Sequence, residues 1–406
     1  MRHLKFGFLG SLVALACVGC GAAPEARFEF NKPTLELSGQ SGLNAQGAVK
    51  TALLENFGTP QKLVAWKKLP INFGDAKATV DGLKPEDTAH EGWNLKLGRN
   101  LYMKHCLHCH GVSGDGAGPT APYLNPRPRD YRQGVFKFTS TTTTSKACRD
   151  DLKRILQAGI PGTSMPSFVL LKDYELNSLV EYVRFLAMRG ELEKRLAAEL
   201  ATDYSTKALD QRTKGGEKRA DIAKTFKDYM EGKGDTTFKN TVTETADSLA
   251  TDWSAAEDES NLIVPKVPRT ESTKESIARG RALFMSEKAK CYSCHGAGGK
   301  GDGQSTVDYW PIPGTTPELK YSDRGLHDTW GNAQKPRNLT LGQYRGGRRP
   351  LDVYRRIYAG IKGTQMAGFG GTVFNDQDMW DIVNYVLNIP YEQQTPATVL
   401  QAETKH

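Results

Sequence analysis

The chain of 406 residues carries a formal charge of +8, is 25% charged and 38% hydrophobic, and contains seven cysteines and eight histidines. That length predicts two to three domains. A positive balance of this size is ordinary surface solvation and argues for no nucleic-acid partner, and no apolar run beyond the first 20 residues is long enough to span a bilayer.

Residues 1–20 read as an export leader. Arg2 and Lys5 give the positive start, and Phe6–Val18 is an apolar core too short for a permanent membrane helix. Its end, Cys17-Val18-Gly19-Cys20, resembles a bacterial lipoprotein cleavage site, with Cys20 as the lipid acceptor and Cys17 as a poorer one. Ordinary cleavage after Ala22 or Ala23 is the alternative. Either way the mature chain is expected on the periplasmic side of the membrane, held there by a lipid anchor in the first reading. Residues 21–91 form an extension in which Gln46–Phe57 predicts one helix, closed by the turn signal Phe57-Gly58-Thr59-Pro60. The rest of the extension is expected to drape over the domain that begins near residue 92.

A helix is expected from about Trp93 to His105, running into Cys106-Leu107-His108-Cys109-His110. Two cysteines three apart with a histidine directly after the second are the attachment signature of c-type haem: each thiol adds to a porphyrin vinyl group and the histidine reaches the iron. A loop rich in Gly, Pro and Thr leads to a helix near Asp150, where Asp150 and Asp151 suit the positive end of the helix dipole. Cys148 stands at the cap position and reads as a small buried side chain, with a redox-sensing thiol as the alternative. Residues 191–269 are highly charged. Phe238, Val242, Ala246, Leu249 and Trp253 mark one helical face, and Leu192, Leu196 and Leu200 suggest another. A helical insert is therefore expected, with hinges at Lys214-Gly215-Gly216 and Gly232-Lys233-Gly234; a floppy linker is the alternative. The attachment signature then recurs as Cys291-Tyr292-Ser293-Cys294-His295. Arg345, Arg348, Arg349, Arg355 and Arg356 concentrate positive charge nearby, a candidate docking patch for an acidic redox partner. The tail from 391 to 406 is expected to be disordered.

The signature is part of a longer internal repeat. LGRNLYMKH, ending at His105, matches ARGRALFMSEKAK, ending at Lys290. DLKRILQAGIPGTSM, ending at Met165, matches DVYRRIYAGIKGTQM, ending at Met366, and an apolar helix comes after each (Glu175–Met188 and Asp376–Leu387). The histidines are 185 residues apart and the methionines 201, so the second copy carries the longer middle loop. A zinc ribbon would place its paired cysteines much closer together, and a thioredoxin-type dithiol needs a strand before it; neither pattern is present.

Each copy resembles a small class I cytochrome c domain, over residues 92–190 and 270–390. The resemblance implies a mainly α fold, with three to five helices around a covalently bound haem in each domain and the helical insert between them. It implies thioether bonds at Cys106, Cys109, Cys291 and Cys294, and axial iron ligation by His110 with Met165 and by His295 with Met366. Ala367 stands where the first copy has Pro166, a weaker match to the methionine loop. Arg129 and Arg337 resemble the family's propionate partners, and Gly118-Pro119 resembles the segment whose carbonyl accepts the histidine's ring N–H. Gly303-Gln304 departs from that pattern. Met103, Met188 and Met285 read as core filling. The function implied is that of a dihaem electron-transfer cytochrome, not itself an enzyme. It would pass single electrons between redox partners such as a dehydrogenase, a quinol-oxidising complex or a terminal oxidase, alone or as a subunit of one. The rival is a dihaem peroxidase-like enzyme with an open iron at the second haem and His327 as the first acid/base candidate.

Overall fold

The computed structural model describes residues 25–37, 43–74, 93–233, 236–315 and 317–392. The leader with Cys20, the tail beyond residue 392 and Gly234 of the second expected hinge lie outside the described residues. The extension contributes α1 (Lys32–Glu36) and α2 (Ala45–Phe57). The first repeat consists of α3 (Trp93–His105), α4 (Leu107–His110), α5 (Arg149–Ala158) and α6 (Asp173–Tyr204). The insert supplies α7 (Thr206–Lys214), α8 (Arg219–Glu231) and α9 (Phe238–Ala255). The second repeat has α10 (Lys274–Phe284), α11 (Cys291–His295), α12 (Pro350–Ala359) and α13 (Asp376–Glu392). Its longer middle loop holds an antiparallel pair, β1 (Leu326–His327) and β2 (Ala333–Gln334), with Leu326 opposite Gln334. The chain is thus mainly helical, as expected. Among the described residues no helix is long and apolar enough to cross a membrane.

Both repeats hang on one joint. In α3 the buried residues Leu95, Gly98, Leu101 and Tyr102 form a face at helical spacing, and that face crosses α6. A Cβ built at Gly98 would lie 2.1 Å from the carbonyl oxygen of Ser178, so only glycine lets the two backbones approach. Tyr102 and Tyr182 pack beside it with ring centroids 5.2 Å apart. The second repeat repeats the joint between α10 and α13: a Cβ at Gly280 would lie 2.0 Å from Asp381 O, and Phe284 meets Tyr385 at 5.4 Å. Met285 departs from the core-filling expectation, because it caps α10 and is 38% exposed.

The expected break at residue 190 does not occur. α6 continues from the first repeat into the insert, so Leu192, Leu196 and Leu200 are buried on the same helix as Leu179 and Tyr182. Gly190 marks a close approach instead of a helix end: a Cβ there would lie 2.4 Å from the Cα of Arg132. The extension packs against this helix through Phe57 on Phe185 (5.4 Å) and through Asn31, whose Nδ2 donates to Gly190 O at 2.7 Å. From the other side α9 buries all of Phe238, Val242, Ala246, Leu249 and Trp253, and Trp253 Nε1 donates to Glu191 Oε2 at 3.1 Å. α7 and α8 end at the first glycines of the two expected hinges, Gly215 and Gly232.

The repeats also meet each other directly. Thr143 Oγ1 donates to Ala359 O at 3.2 Å, Lys362 Nζ donates to Thr141 Oγ1 at 3.1 Å, and Lys137 pairs with Asp328 at 3.4 Å. The segment after α9 runs between them, with Ile263 N–H donating to Ser140 O at 2.8 Å and Ile263 O accepting from Arg355 Nε at 3.2 Å.

Because a side chain at either glycine drives into backbone, Gly98→Val and Gly280→Val should each cost at least about 1–3 kcal/mol. Urea unfolding of the two variants measures this, and unchanged midpoints would mean the helices do not rely on these contacts.

Candidate functional site

Each attachment motif forms a short helix capped by a left-handed glycine, Gly111 (φ +72) after His110 and Gly296 (φ +73) after His295. Cys106, Cys109, Cys291 and Cys294 are free thiols. Burial pushes Cys106 up to about 12 and Cys291 up to about 11, so both carry their protons. His110 is buried, stacks on Tyr131 with ring centroids 4.8 Å apart, and is pushed down to about 4 by that burial. His295 is lowered for the same reason. Both imidazoles are therefore neutral.

The Nδ1 of His110 lies 3.2 Å from the carbonyl oxygen of Arg129, and that of His295 lies 3.4 Å from the carbonyl of Arg337. Facing a carbonyl, Nδ1 carries the proton, which leaves the Nε2 lone pair for a metal. This corrects the expectation for Pro119. Pro119 is exposed, and the neighbouring Gly118 N–H donates to Cys109 O at 3.2 Å. The partner is chosen by a turn: Gly116 (φ +70) lets the chain pass so closely that a Cβ would sit 2.5 Å from Pro128 O. Gly301 (φ +78) does the same in the second repeat, 2.5 Å from Pro336 O. The departure at Gly303-Gln304 is therefore without consequence for the histidine, since Gly303 N–H still donates to Cys294 O at 3.2 Å.

The two methionine loops share one hydrogen-bonding pattern. Ile160 N–H donates to Met165 O at 3.1 Å and Ile361 N–H to Met366 O at 3.0 Å. Thr163 Oγ1 donates to Ile160 O at 2.8 Å and accepts from Met165 N–H at 3.1 Å. Thr364 repeats both bonds at 2.7 and 3.2 Å. Ala367 thus costs the second loop none of these bonds, because threonine and the glycines Gly159 and Gly360 carry the turn. Gly360 (φ +73) sits where a Cβ would be 2.3 Å from Met366 O. Met366 also lines a cavity of about 390 Å³ between the repeats, with Phe136, Lys146 and Lys362.

Around Arg129 and Arg345, both named from sequence, gather side chains that sequence reasoning missed, Lys137, Asp328, Trp330 and Asn332, where the repeats meet. The Arg129 guanidinium lies over the Trp330 ring, 3.6 Å from its centroid, beside a cavity of about 250 Å³ that Asp328 and Asn332 also line. Burial lowers Arg129 to about 10, and burial with neighbouring Arg129 lowers Lys137 to about 8. Arg345 is lowered by burial and by Arg337. Asp328 is the carboxylate paired with this cluster, through Lys137. Trp330 Nε1 and Arg345 Nε are buried with no hydrogen-bond partner among the described residues. Only the duplicated glycines could have been found from sequence, by aligning the repeats. His327 is buried in β1, stacked on Tyr321 at 3.8 Å with Nδ1 against Gly325 O, which makes it part of the hairpin's packing.

The family model described as cytochrome c matches residues 95–187 and 277–390, together about half of the chain. No curated protein matches the chain. Among solved structures it is similar to a chain of the Kuenenia stuttgartiensis reducing HAO-like protein complex, at 22% identity over 72% of this chain and 96% of that one, with a TM-score of 0.48.

The donor set fits a covalently attached haem in each repeat: two free thiols, a neutral imidazole with Nε2 unspent, and a thioether on a hydrogen-bonded loop. The surplus of cationic groups and the orphaned Trp330 and Arg345 donors suit the carboxylates that such a group carries. Thr163→Val and Thr364→Val remove two hydrogen bonds each and should cost about 1–3 kcal/mol. Thermal unfolding checks this, and equal losses in the two variants are expected from the equal geometry.

Proposed function

This chain belongs to the cytochrome c family, and from that premise we propose that it is a dihaem c-type cytochrome passing single electrons between redox partners in the cell envelope. The observation that carries the reading is the duplication of the whole ligand apparatus, histidine carbonyl partner and methionine loop alike. When bound, the group supplies an iron that takes up or gives away one electron.

Cys106 with Cys109, and Cys291 with Cys294, would hold a haem by thioether bonds in each repeat. His110 and His295 would offer Nε2 to iron, their orientation set by the carbonyls of Arg129 and Arg337. Met165 and Met366 would each supply the second protein ligand to iron, and a pair of protein ligands at each iron favours a carrier over an enzyme. Thioether sulfur also favours the reduced state and so raises the potential. The partners proposed are a dehydrogenase, a quinol-oxidising complex or a terminal oxidase. The leader and Cys17-Val18-Gly19-Cys20 support export and a lipid anchor at Cys20 on the periplasmic side of a bacterial membrane.

Pyridine haemochrome quantitation should give two covalent haems per chain, and replacement of Cys106 and Cys109 by alanine should leave one. The oxidised protein should show the near-infrared sulfur-to-iron band of both haems, and the reduced protein should resist carbon monoxide. Stoichiometric carbon monoxide binding with peroxide turnover would sink the carrier reading. For the anchor, mass spectrometry of the mature N-terminus should find a diacylated Cys20; an unmodified terminus at Ala23 or Pro24 would mean a soluble exported protein.

A further inference from the structure

Arg129 and Arg337 occupy equivalent places, yet each points its guanidinium toward the other repeat. The carbonyl of Arg337 faces His295, while its side chain is anchored in its own repeat by Gln343: Nε donates to the backbone oxygen at 2.7 Å and Nη2 to Oε1 at 2.5 Å. So held, the fork lies against Gly162, where a Cβ would be 2.7 Å from Nη2. Gly162 stands three residues before Met165. In the opposite direction, the carbonyl of Arg129 faces His110, and its guanidinium covers Trp330 of the second repeat. The indole in turn lies against Gly363, three residues before Met366, where a Cβ would be 2.5 Å from a ring carbon. Thr329 N–H fastens that loop by donating to Gly363 O at 3.0 Å, and Gln365 Nε2 donates to His327 O at 3.2 Å. Gly162 and Gly363 share the same φ of +73. The arrangement approaches that of an isologous interface, except that Arg337 touches the opposite loop directly while Arg129 reaches it through Trp330.

We propose that Arg129 and Arg337 are positioning residues that act crosswise: each braces the methionine loop of the opposite repeat, so that each axial sulfur is held in place by the repeat that carries the other haem. Resting on the dihaem reading above, this assigns the guanidinium a task different from the pairing with its own haem that the sequence pattern suggests. The backbone carbonyl of each arginine orients one histidine, and its side chain supports the opposite methionine. The two sites are therefore linked through Arg337 in one direction and through Arg129 with Trp330 in the other.

The test uses the full haem-loaded chain and the sulfur-to-iron band as its readout. Met366→Ala leaves only the band of the Met165 site. Adding Arg337→Gln, which keeps the backbone carbonyl, should then weaken and shift that remaining band while haem content stays at two per chain. In the mirror experiment Met165→Ala isolates the Met366 site, and Arg129→Gln or Trp330→Ala should perturb its band. Gln343→Ala, which removes the Oε1 acceptor of Arg337 Nη2 but keeps the backbone oxygen that holds Nε, should act in the same direction as Arg337→Gln and more weakly, and it serves if that variant fails to fold. A Met165 band untouched by Arg337→Gln and by Gln343→Ala overturns the brace, as does an effect confined to the haem of the mutated repeat. A band missing from the unsubstituted protein would strike the methionine ligation itself, and the brace with it.

Discussion

The structure depends on one backbone-to-backbone contact, made twice. Where α3 crosses α6, and again where α10 crosses α13, a glycine allows a helix to rest on the carbonyl of its partner. α3 ends one residue before Cys106, and α6 begins shortly after the methionine loop. The crossing therefore sets where the thiol and histidine side of the site emerges relative to the thioether side. Ligand geometry is fixed by the joint with the least freedom in the fold, and the variable loops between the joints can lengthen without moving it. That is why the histidines and methionines of the two copies differ in spacing by 16 residues while their hydrogen bonds agree.

What is legible in the sequence is what local rules decide. The attachment motifs are read from spacing because the chemistry needs that spacing, and the α9 face is read from periodicity because burial obeys it. Local reading fails where distant parts of the chain decide the outcome. The sequence pattern divides the first repeat from the insert at residue 190, but Gly190 lies within α6, where its role is to admit Arg132, which is far away in sequence. Pro119 looks like the histidine's partner by its order along the chain, yet the turn at Gly116 brings up Arg129 instead. Trp330 belongs to no periodic pattern, and nothing local announces that an arginine of the other repeat will lie on it. Cys148 is the small buried side chain that its place before α5 suggests, and it makes no cap hydrogen bond; Asp151 in the first turn instead ties the helix to the preceding loop, its carboxylate accepting from Ser140 N–H at 2.9 and 2.8 Å.

The continuity of α6 has an electrostatic consequence. Covered by the extension on one side and the insert on the other, it buries Glu181, Arg184, Arg189, Glu191 and Glu193. Buried charges of this kind are tolerated only when paired. Arg184 donates to Glu257 Oε1 and to Pro70 O, both at 2.9 Å, Arg149 reaches Glu181 at 2.5 Å, and Arg189 reaches Glu193 at 3.2 Å. Pro70 belongs to the extension, Arg149 to the first repeat and Glu257 to the insert, while Glu193 lies one turn along α6 itself. The charges act as registration pins that tie three stretches of sequence to a single helix, and they explain why a segment so polar in composition is neither a linker nor a separate domain.

Among the described residues the second repeat is covered by no helix of the extension or insert but by the stretch at residues 266–269, and it uses its longer middle loop differently. β1 and β2 present Asp328 and Trp330 toward the first repeat. Asp328 is itself held by Trp330 N–H at 3.1 Å, Asn332 N–H at 3.0 Å and Gln334 Nε2 at 3.2 Å. The symmetry between the repeats is consequently incomplete. Arg337 reaches the opposite methionine loop directly, steadied by Gln343 of its own repeat. Arg129 reaches it only through an indole that the inserted loop supplies. An insertion that alignment treats as dispensable length is thus the element through which the first repeat touches the methionine loop of the second. The two copies could not have come to brace each other in both directions without it.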